Sequence, residues 1–325
     1  MNIGDIADIA GVSRAAVSRY LNNGYVSAEK RERIRRVIEE THYMPSVQAQ
    51  TLRTKKTRLI GVVLPRINSD PISSVVEGIG AVLHEHGYNM LLASTDASPD
   101  KELDFLRIFS KNRVDGVILV ATVFTDVHLE ILSQMKIPVV IVGQRLEGYV
   151  SVYHSDYEAA CALTRCVLES GRKRIGYISV IKEDVAVGQK RWQGFCDVMA
   201  EAGLPVPDEP VIADFSMKSG FEKMAELLSR QPDADAVICA PDDLALGAMQ
   251  YLKKQGKWIP EDVALASFGD NVLASVTTPD LTTVHYYYRT SGEEAAAKIL
   301  ALLEGTKLAE KELKLGFELK LRGST

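Results

Sequence analysis

The sequence predicts an α/β protein: a three-helix head containing a helix-turn-helix, a short hinge helix, and a body of two doubly wound parallel-sheet subdomains. Three observations predict it. The first 45 residues carry only short helical periodicities. From Leu59 onward, short apolar runs alternate with amphipathic stretches, the pattern of parallel sheets covered on both faces by helices. Charge divides near the same place: residues 1–58 carry 11 Lys/Arg against 6 Asp/Glu, a balance of +5, whereas the remainder, from totals of 38 and 43, stands at −10. A basic head on an acidic body suggests a head that meets phosphates and a body with another task.

In the head, IGDIADIAGV places Ile3, Ile6, Ala7 and Ala10 on one face, and Gly11 ends that helix. Ser13 is a good cap for a second helix over 14–22, where Val17, Tyr20 and Leu21 share one side. Arg14, Ala15, Ser18, Arg19 and Asn22 share the other. Ser27 is placed to cap a third helix with the stripe Ile34, Val37, Ile38. Two helices joined by a tight glycine turn and braced by a third make the helix-turn-helix plan. Arginine can take guanine O6 and N7 with two hydrogen bonds, and Ala15 and Ala16 are small enough to allow close approach. Ser18 and Asn22 suit phosphates, which set register. Spacing alone leaves two readings open, a solvated helix face and a DNA-reading face.

The stretches IADIAGVSRAAVSRYLNN, VSAEKRERI and THYMPSVQAQTLRTKKTRLIGVVLP resemble the start of the lactose/galactose-repressor (LacI/GalR) family, and the resemblance extends over the whole chain. It implies a DNA-binding domain over 1–45, a hinge over 46–58, and an effector-binding and dimerisation domain over 59–325. The body would resemble a periplasmic sugar-binding protein, with an N-subdomain of about 59–157 plus 286–325 and a C-subdomain of about 158–285. By the resemblance Arg14, Ala15 and Arg19 read bases, while Asn2, Ser13, Ser18 and Asn22 meet the backbone. Asn2 stands where the family usually has a threonine cap, a mild change. In the hinge, Ala49 falls at the packed position between paired helices, and Leu52 aligns with a leucine that wedges into the minor groove. Taken by itself, a segment this short is a marginal helix or a basic linker.

Ligands of open α/β sheets bind beyond the carboxyl ends of the strands. LPRINSD puts Arg66, Ser69 and Asp70 in the first such loop. Arg66 fits either an effector phosphate or an ion pair with Asp70. VGQR supplies Gln144, YHSDY supplies Asp156, GQKR supplies Lys190 and Arg191, and ADFS supplies Phe215. The resemblance makes Arg191 a sugar-hydroxyl ligand, Phe215 a stacking ring and Asp156 an acidic cleft residue. Two stretches depart from the family. Ala240-Pro241-Asp242 stands where the family has Ala-Asn-Asp, and SFGDN (267–271) where it has GFDD, so Asp270 or Gly269 occupies the usual carboxylate position.

These loops are most similar to the branch of sucrose-operon and trehalose-operon repressors. That implies a phosphorylated disaccharide as effector, operator DNA as partner and a homodimer, in which Val76, Ile79 and Val82 or Leu83 could face either the second subunit or the core. The alternatives are a free sugar, a phosphocarrier corepressor, or a sugar-binding protein without regulatory role. No catalytic motif, metal-ligand spacing or cofactor loop stands in the sequence, which is read as no enzyme and no cofactor. Its four cysteines lie in apolar segments without C-x-x-C spacing, its start lacks a secretion signal, and it has no 18-residue apolar run. A cytoplasmic protein with reduced, buried thiols is expected.

Overall fold

The computed structural model describes residues 1–22, 24–43, 56–111 and 114–325. It divides into two compact units, Met1–Thr57 and Arg58–Thr325.

In the first unit, α1 (Ile3–Ala10) begins with a reciprocal cap. Asn2 Oδ1 accepts from Gly4 N at 2.7 Å and Asp5 N at 3.3 Å, and Asp5 Oδ2 accepts from Asn2 N at 2.7 Å. The helix stops because Gly11 takes φ +62°, a conformation that costs glycine little. Arg33, from α3 (Ala28–Thr41), donates to the freed Ala10 carbonyl at 2.6 and 2.9 Å. Ser13 Oγ caps α2 (Arg14–Leu21) by accepting from Ala16 N at 3.2 Å. Ser27 stands at the cap position of α3, but its hydroxyl makes no cap bond. Ile6, Ala7, Ala10, Val17, Ile34 and Val37 form the core. Ala16 joins them at 6% exposure, so only Ala15 of the alanine pair faces outward. The hinge residues Ala49 and Leu52 lie outside the described residues.

The second unit repeats one plan twice. Its first sheet is built from β1 (Leu59–Leu64), α4 (Asp70–Glu85), β2 (Asn89–Ser94), α5 (Pro99–Lys111), β3 (Gly116–Val120), α6 (Asp126–Gln134), β4 (Val139–Val142) and β5 (Val150–His154). The chain then crosses into α7 (Asp156–Glu169) and β6 (Ile175–Ser179). A π-helical turn (Val185–Lys190) runs into α8 (Arg191–Glu201). There follow β7 (Val211–Ile212), α9 (Met217–Arg230), β8 (Ala236–Cys239), α10 (Asp242–Lys254), β9 (Ala264–Gly269) and β10 (Thr282–Tyr286). The chain recrosses into α11 (Tyr288–Leu303), adds β11 (Glu312–Leu315) to the first sheet, and ends with β12 (Phe317–Lys320) on the second. Strand orders are β11-β5-β4-β3-β1-β2 and β12-β10-β9-β8-β6-β7. Every pairing is parallel except β12 against β10.

That last strand corrects one sequence boundary. Residues 286–325 were expected to stay with the first sheet, but β12 pairs Thr283 with Lys320 and Tyr286 with Phe317. The exposed edge of β10 needs a partner. Phe317 and Leu319 pack on the second subdomain's core, and Ser324 Oγ bonds Thr282 N at 2.8 Å and Leu265 O at 2.6 Å. The second sheet therefore reclaims 317–325. On α4, Ile79 and Leu83 are core residues, while Val76 and Val82 are half-buried against that core. The exposed leucines of this subdomain are Leu91 and Leu92 on the edge strand β2 and Leu129 on α6.

Two helix pairs cross at glycines. A Cβ on Gly78 of α4 would lie 2.1 Å from the Arg289 carbonyl oxygen of α11, and one on Gly292 of α11 would lie 2.1 Å from that of Val75. Gly220 of α9 and Gly247 of α10 repeat the arrangement, at 2.3 Å from Leu244 O and 2.0 Å from Met217 O. Side-chain-free contacts let each pair approach almost backbone to backbone.

Cys161 and Cys239 are buried as expected, but Cys166 and Cys196 are only half-buried; all four are free thiols. No helix among the described residues is long and apolar enough to cross a membrane.

Candidate nucleic-acid interface and effector cleft

On α2, Val17 is fully buried and anchors the helix, which leaves Arg14, Ala15 and Arg19 exposed together. Arg19 Nε donates to Ala15 O at 3.3 Å, and Asn22 Nδ2 donates to Ser18 O. Arg14 folds back over the start of α1, where a Cβ on Gly4 would meet its Nε at 3.0 Å. Asn2 and Ser13 both serve as caps, their side-chain oxygens accepting from first-turn N–H groups of α1 and α2. The face is cationic at both ends, small in its middle, and free of bulky apolar groups.

In the second unit, the two subdomains' strand ends hold the other candidates. Asp156, the first residue of α7, and Arg191, the first of α8, are 6% and 4% exposed and pair at 2.7 Å between Oδ1 and Nε. Tyr286 Oη also donates to Asp156 Oδ1, at 3.1 Å. The guanidinium carbon of Arg191 lies 4.8 Å from the Phe268 ring centre and 5.0 Å from that of Tyr286. His154 packs its ring 5.0 Å from Tyr286 and 5.2 Å from Tyr288. The elements explain the meeting: β5 hands over to α7 across 154–156, and β10 to α11 across 286–288, so both crossovers feed this cluster.

Arg66 leaves β1 and stacks on Phe215, its guanidinium carbon 5.3 Å from the ring centre. Asp70 forms no ion pair with it among the described residues. Gln144 is buried and donates to the carbonyls of Ala121 and Thr122, which makes it a loop brace. Lys190 is exposed beside Arg191, and Ser69 sits at the cap position of α4 without a cap bond.

The two family departures resolve differently. Asp242 is 2% exposed, and its carboxylate accepts from Ser267 Oγ, from Thr283 Oγ1 at 2.6 Å and from Asn271 N at 2.8 Å. It knits β9 and β10 to α10, and all its visible partners are internal. Burial pushes this carboxyl up, against the pull of those hydrogen bonds. Gly269 takes φ +139° and faces the Asp242 carboxylate, so an L-residue there would be strained. Asp270 turns to Arg322 at 2.6 Å and His285 at 2.9 Å. The cleft therefore lacks a carboxylate at 269, and the next one is ion-paired. A cavity of about 400 Å³ opens beside this pair, between Asp70 and Glu77 of α4 and the 269–272 turn.

His154, Phe268, Tyr286, Tyr288, Asp184 and Arg322 were not singled out from the sequence. The run HYYYR was the one available signal, because Tyr286 and Tyr288 lie two apart and reach the same cluster. Asp184 caps the π-helical turn through Val187 N at 3.0 Å, and burial raises its carboxyl to about 6. An acid raised from 3.8 to about 6 is held ionised at a loss at neutral pH, and the folded state takes up its proton first as the pH falls. Asp184→Asn keeps the cap acceptor and is expected to gain about 3 kcal/mol at pH 7, the gain vanishing near pH 4. Urea denaturation of both proteins at the two pH values checks this; an equal gain at both would assign the effect to something other than charge. His154 runs the other way: burial pushes its imidazole down to about 4, so its contribution is complete above 6.5 and is lost as the pH falls through 4.

A small helix-turn-helix head tied to a two-lobed ligand-binding body defines an effector-controlled DNA-binding regulator. Residues 2–46 match the bacterial regulatory proteins of the lacI family, and residues 164–325 match the periplasmic binding protein-like domain. The chain is 32% identical over 306 residues to the sucrose operon repressor of Staphylococcus xylosus, covering 93% of this chain and 94% of that one. It is similar to the solved transcriptional regulator CelR in complex with cellobiose, at TM-score 0.78 and 28% identity over the full length of both. It also shares the fold of the lac repressor dimer bound to operator and the anti-inducer ONPF, at TM-score 0.90 and 22% identity over 100% of this chain and 98% of that one. The chain belongs to the lacI family of transcription regulators.

Proposed function

We propose that the protein represses a sugar-utilisation operon and is released by a small sugar effector, a phosphorylated disaccharide such as sucrose 6-phosphate or trehalose 6-phosphate. The observation that carries the effector class is Arg66, in the loop after β1, stacked on Phe215 of the other lobe: a cation beside an aromatic face suits a phosphate attached to a sugar ring. Lys190 and the Asp156–Arg191 pair supply further polar groups. The sucrose operon repressor among its relatives supports the operon class. A homodimer on a pseudo-palindromic operator follows, with one α2 per half-site. In this reading Leu52 of the hinge enters the minor groove, with Ala49 at the contact between paired hinges. Calorimetry with each sugar phosphate against its free sugar tests the effector; equal affinities would move the reading to a free disaccharide, the ligand of the CelR complex.

On DNA, Arg19→Ala is expected to weaken operator binding by about 1–3 kcal/mol and to relax preference at one base pair per half-site. Fluorescence anisotropy against operators varied one position at a time reads this. A uniform loss across all sequences would make Arg19 a phosphate contact instead.

A further inference from the structure

We propose that Arg66 and Phe215 form a latch across the cleft mouth, which an anionic ligand opens by drawing the guanidinium off the ring. The aromatic face then becomes available to the neutral part of the ligand only after the anion has engaged. The proposal rests on the sugar-phosphate reading above and assigns to the same site an order of events and a means of discrimination.

The two residues come from opposite lobes. Arg66 follows β1 of the first sheet, and Phe215 precedes α9 over the second. Phe215 is half-buried and packs against the second subdomain's core. The cation lies over its ring at 5.3 Å. A ring covered in this way has no face left for a sugar. Asp70 and Asp243 lie close enough for Asp70 to raise and Arg66 to lower the Asp243 carboxyl, whose largest shift upward comes from burial. Even so, neither carboxylate pairs with Arg66. Among the described residues no acceptor takes its N–H groups, so the planar fork keeps its donors for a ligand while its π-face rests on Phe215.

A phosphate offers two charge-assisted hydrogen bonds and outcompetes a cation–π contact, which is the weaker interaction at a half-exposed site. A neutral sugar offers nothing in exchange for displacing the cation. The latch thus rejects unphosphorylated sugar twice, through the missing phosphate contact and through the covered ring. A simple phosphate contact would give only the first.

The test has two arms. By calorimetry, Arg66→Ala is expected to lower affinity for sucrose 6-phosphate or trehalose 6-phosphate by about 10-fold or more, and to raise affinity for the matching free disaccharide by roughly 2- to 10-fold. Unchanged or weakened binding of the free sugar overturns the latch. The second arm needs no identified effector. Phe215→Trp in a Trp192→Phe, Trp258→Phe background, which removes both native tryptophans, places a single reporter at the ring position, and acrylamide quenching measures its exposure. Adding Arg66→Ala is expected to increase quenching, and so is adding inorganic phosphate to the protein that retains Arg66. Identical quenching with and without Arg66 overturns the latch whatever the effector. A quenching difference without sugar-phosphate binding upholds the latch and refutes the effector class.

Discussion

Replacing Arg191 with methionine is expected to lower stability by about 3–5 kcal/mol, because it leaves the Asp156 carboxylate buried without its counter-charge. Asp156 is 6% exposed, and its remaining side-chain partner is the Tyr286 hydroxyl at 3.1 Å. The guanidinium also fills the space between Phe268 and Tyr286, which methionine fills only in part. The midpoint of urea denaturation, measured without effector, should fall accordingly. Adding Asp156→Asn should recover much of the loss, since the uncompensated charge is then gone. A loss under about 1 kcal/mol with no recovery in the double variant would mean that water reaches the carboxylate and that the pair is held for ligand rather than for the fold.

The second large effect is expected at Gly247. Its missing Cβ would fall 2.0 Å from the Met217 carbonyl oxygen and 2.7 Å from Phe221 N, and neither atom can swing aside. Gly247→Ala therefore forces α9 and α10 apart, and overpacking of this kind costs about 3 kcal/mol or more even after the ~1 kcal/mol that alanine contributes to an α-helix. Gly80, in α4, is the control: its Cβ would meet only the mobile end of Met90, at 2.9 Å. Gly80→Ala is expected to be neutral or to stabilise by up to about 1 kcal/mol. Thermal unfolding of the two variants side by side separates contact geometry from helix propensity. Similar melting temperatures would show that the α9–α10 crossing relaxes freely.

Local chemistry made much of this molecule legible before any fold was known. The caps at Asn2 and Ser13, the stop at Gly11 and the apolar stripes of the head depend on neighbours within four residues. The long apolar strands announced the two sheets. The exceptions have physical reasons. β5, VSVYH, mixes polar residues into a buried strand, and β7 has two residues, too few for any period. Ala16 looked equivalent to Ala15 because both are methyls; only the helix phase separates them. The cleft was half readable. Arg66, Asp156 and Phe215 follow the ends of β1, β5 and β7, whereas Arg191 opens α8 twelve residues past β6, and pairings such as Arg66 with Phe215 join residues about 150 positions apart. Arg322 reaches Asp270 only because the last strand changes sheets, and no local pattern encodes that move.

That change of sheets has a practical corollary. The polypeptide passes between the lobes three times, at 154–156, 286–288 and 315–317. A protease that nicks one passage leaves two covalent tethers, so the nicked molecule should migrate intact on a native gel and split only under denaturant. Neither lobe is a contiguous stretch of the gene, and a clone ending before residue 317 would deprive the second lobe of an edge strand while leaving the first complete. Recombination that swaps effector preference between relatives must then exchange at least two segments together, with junctions at these passages.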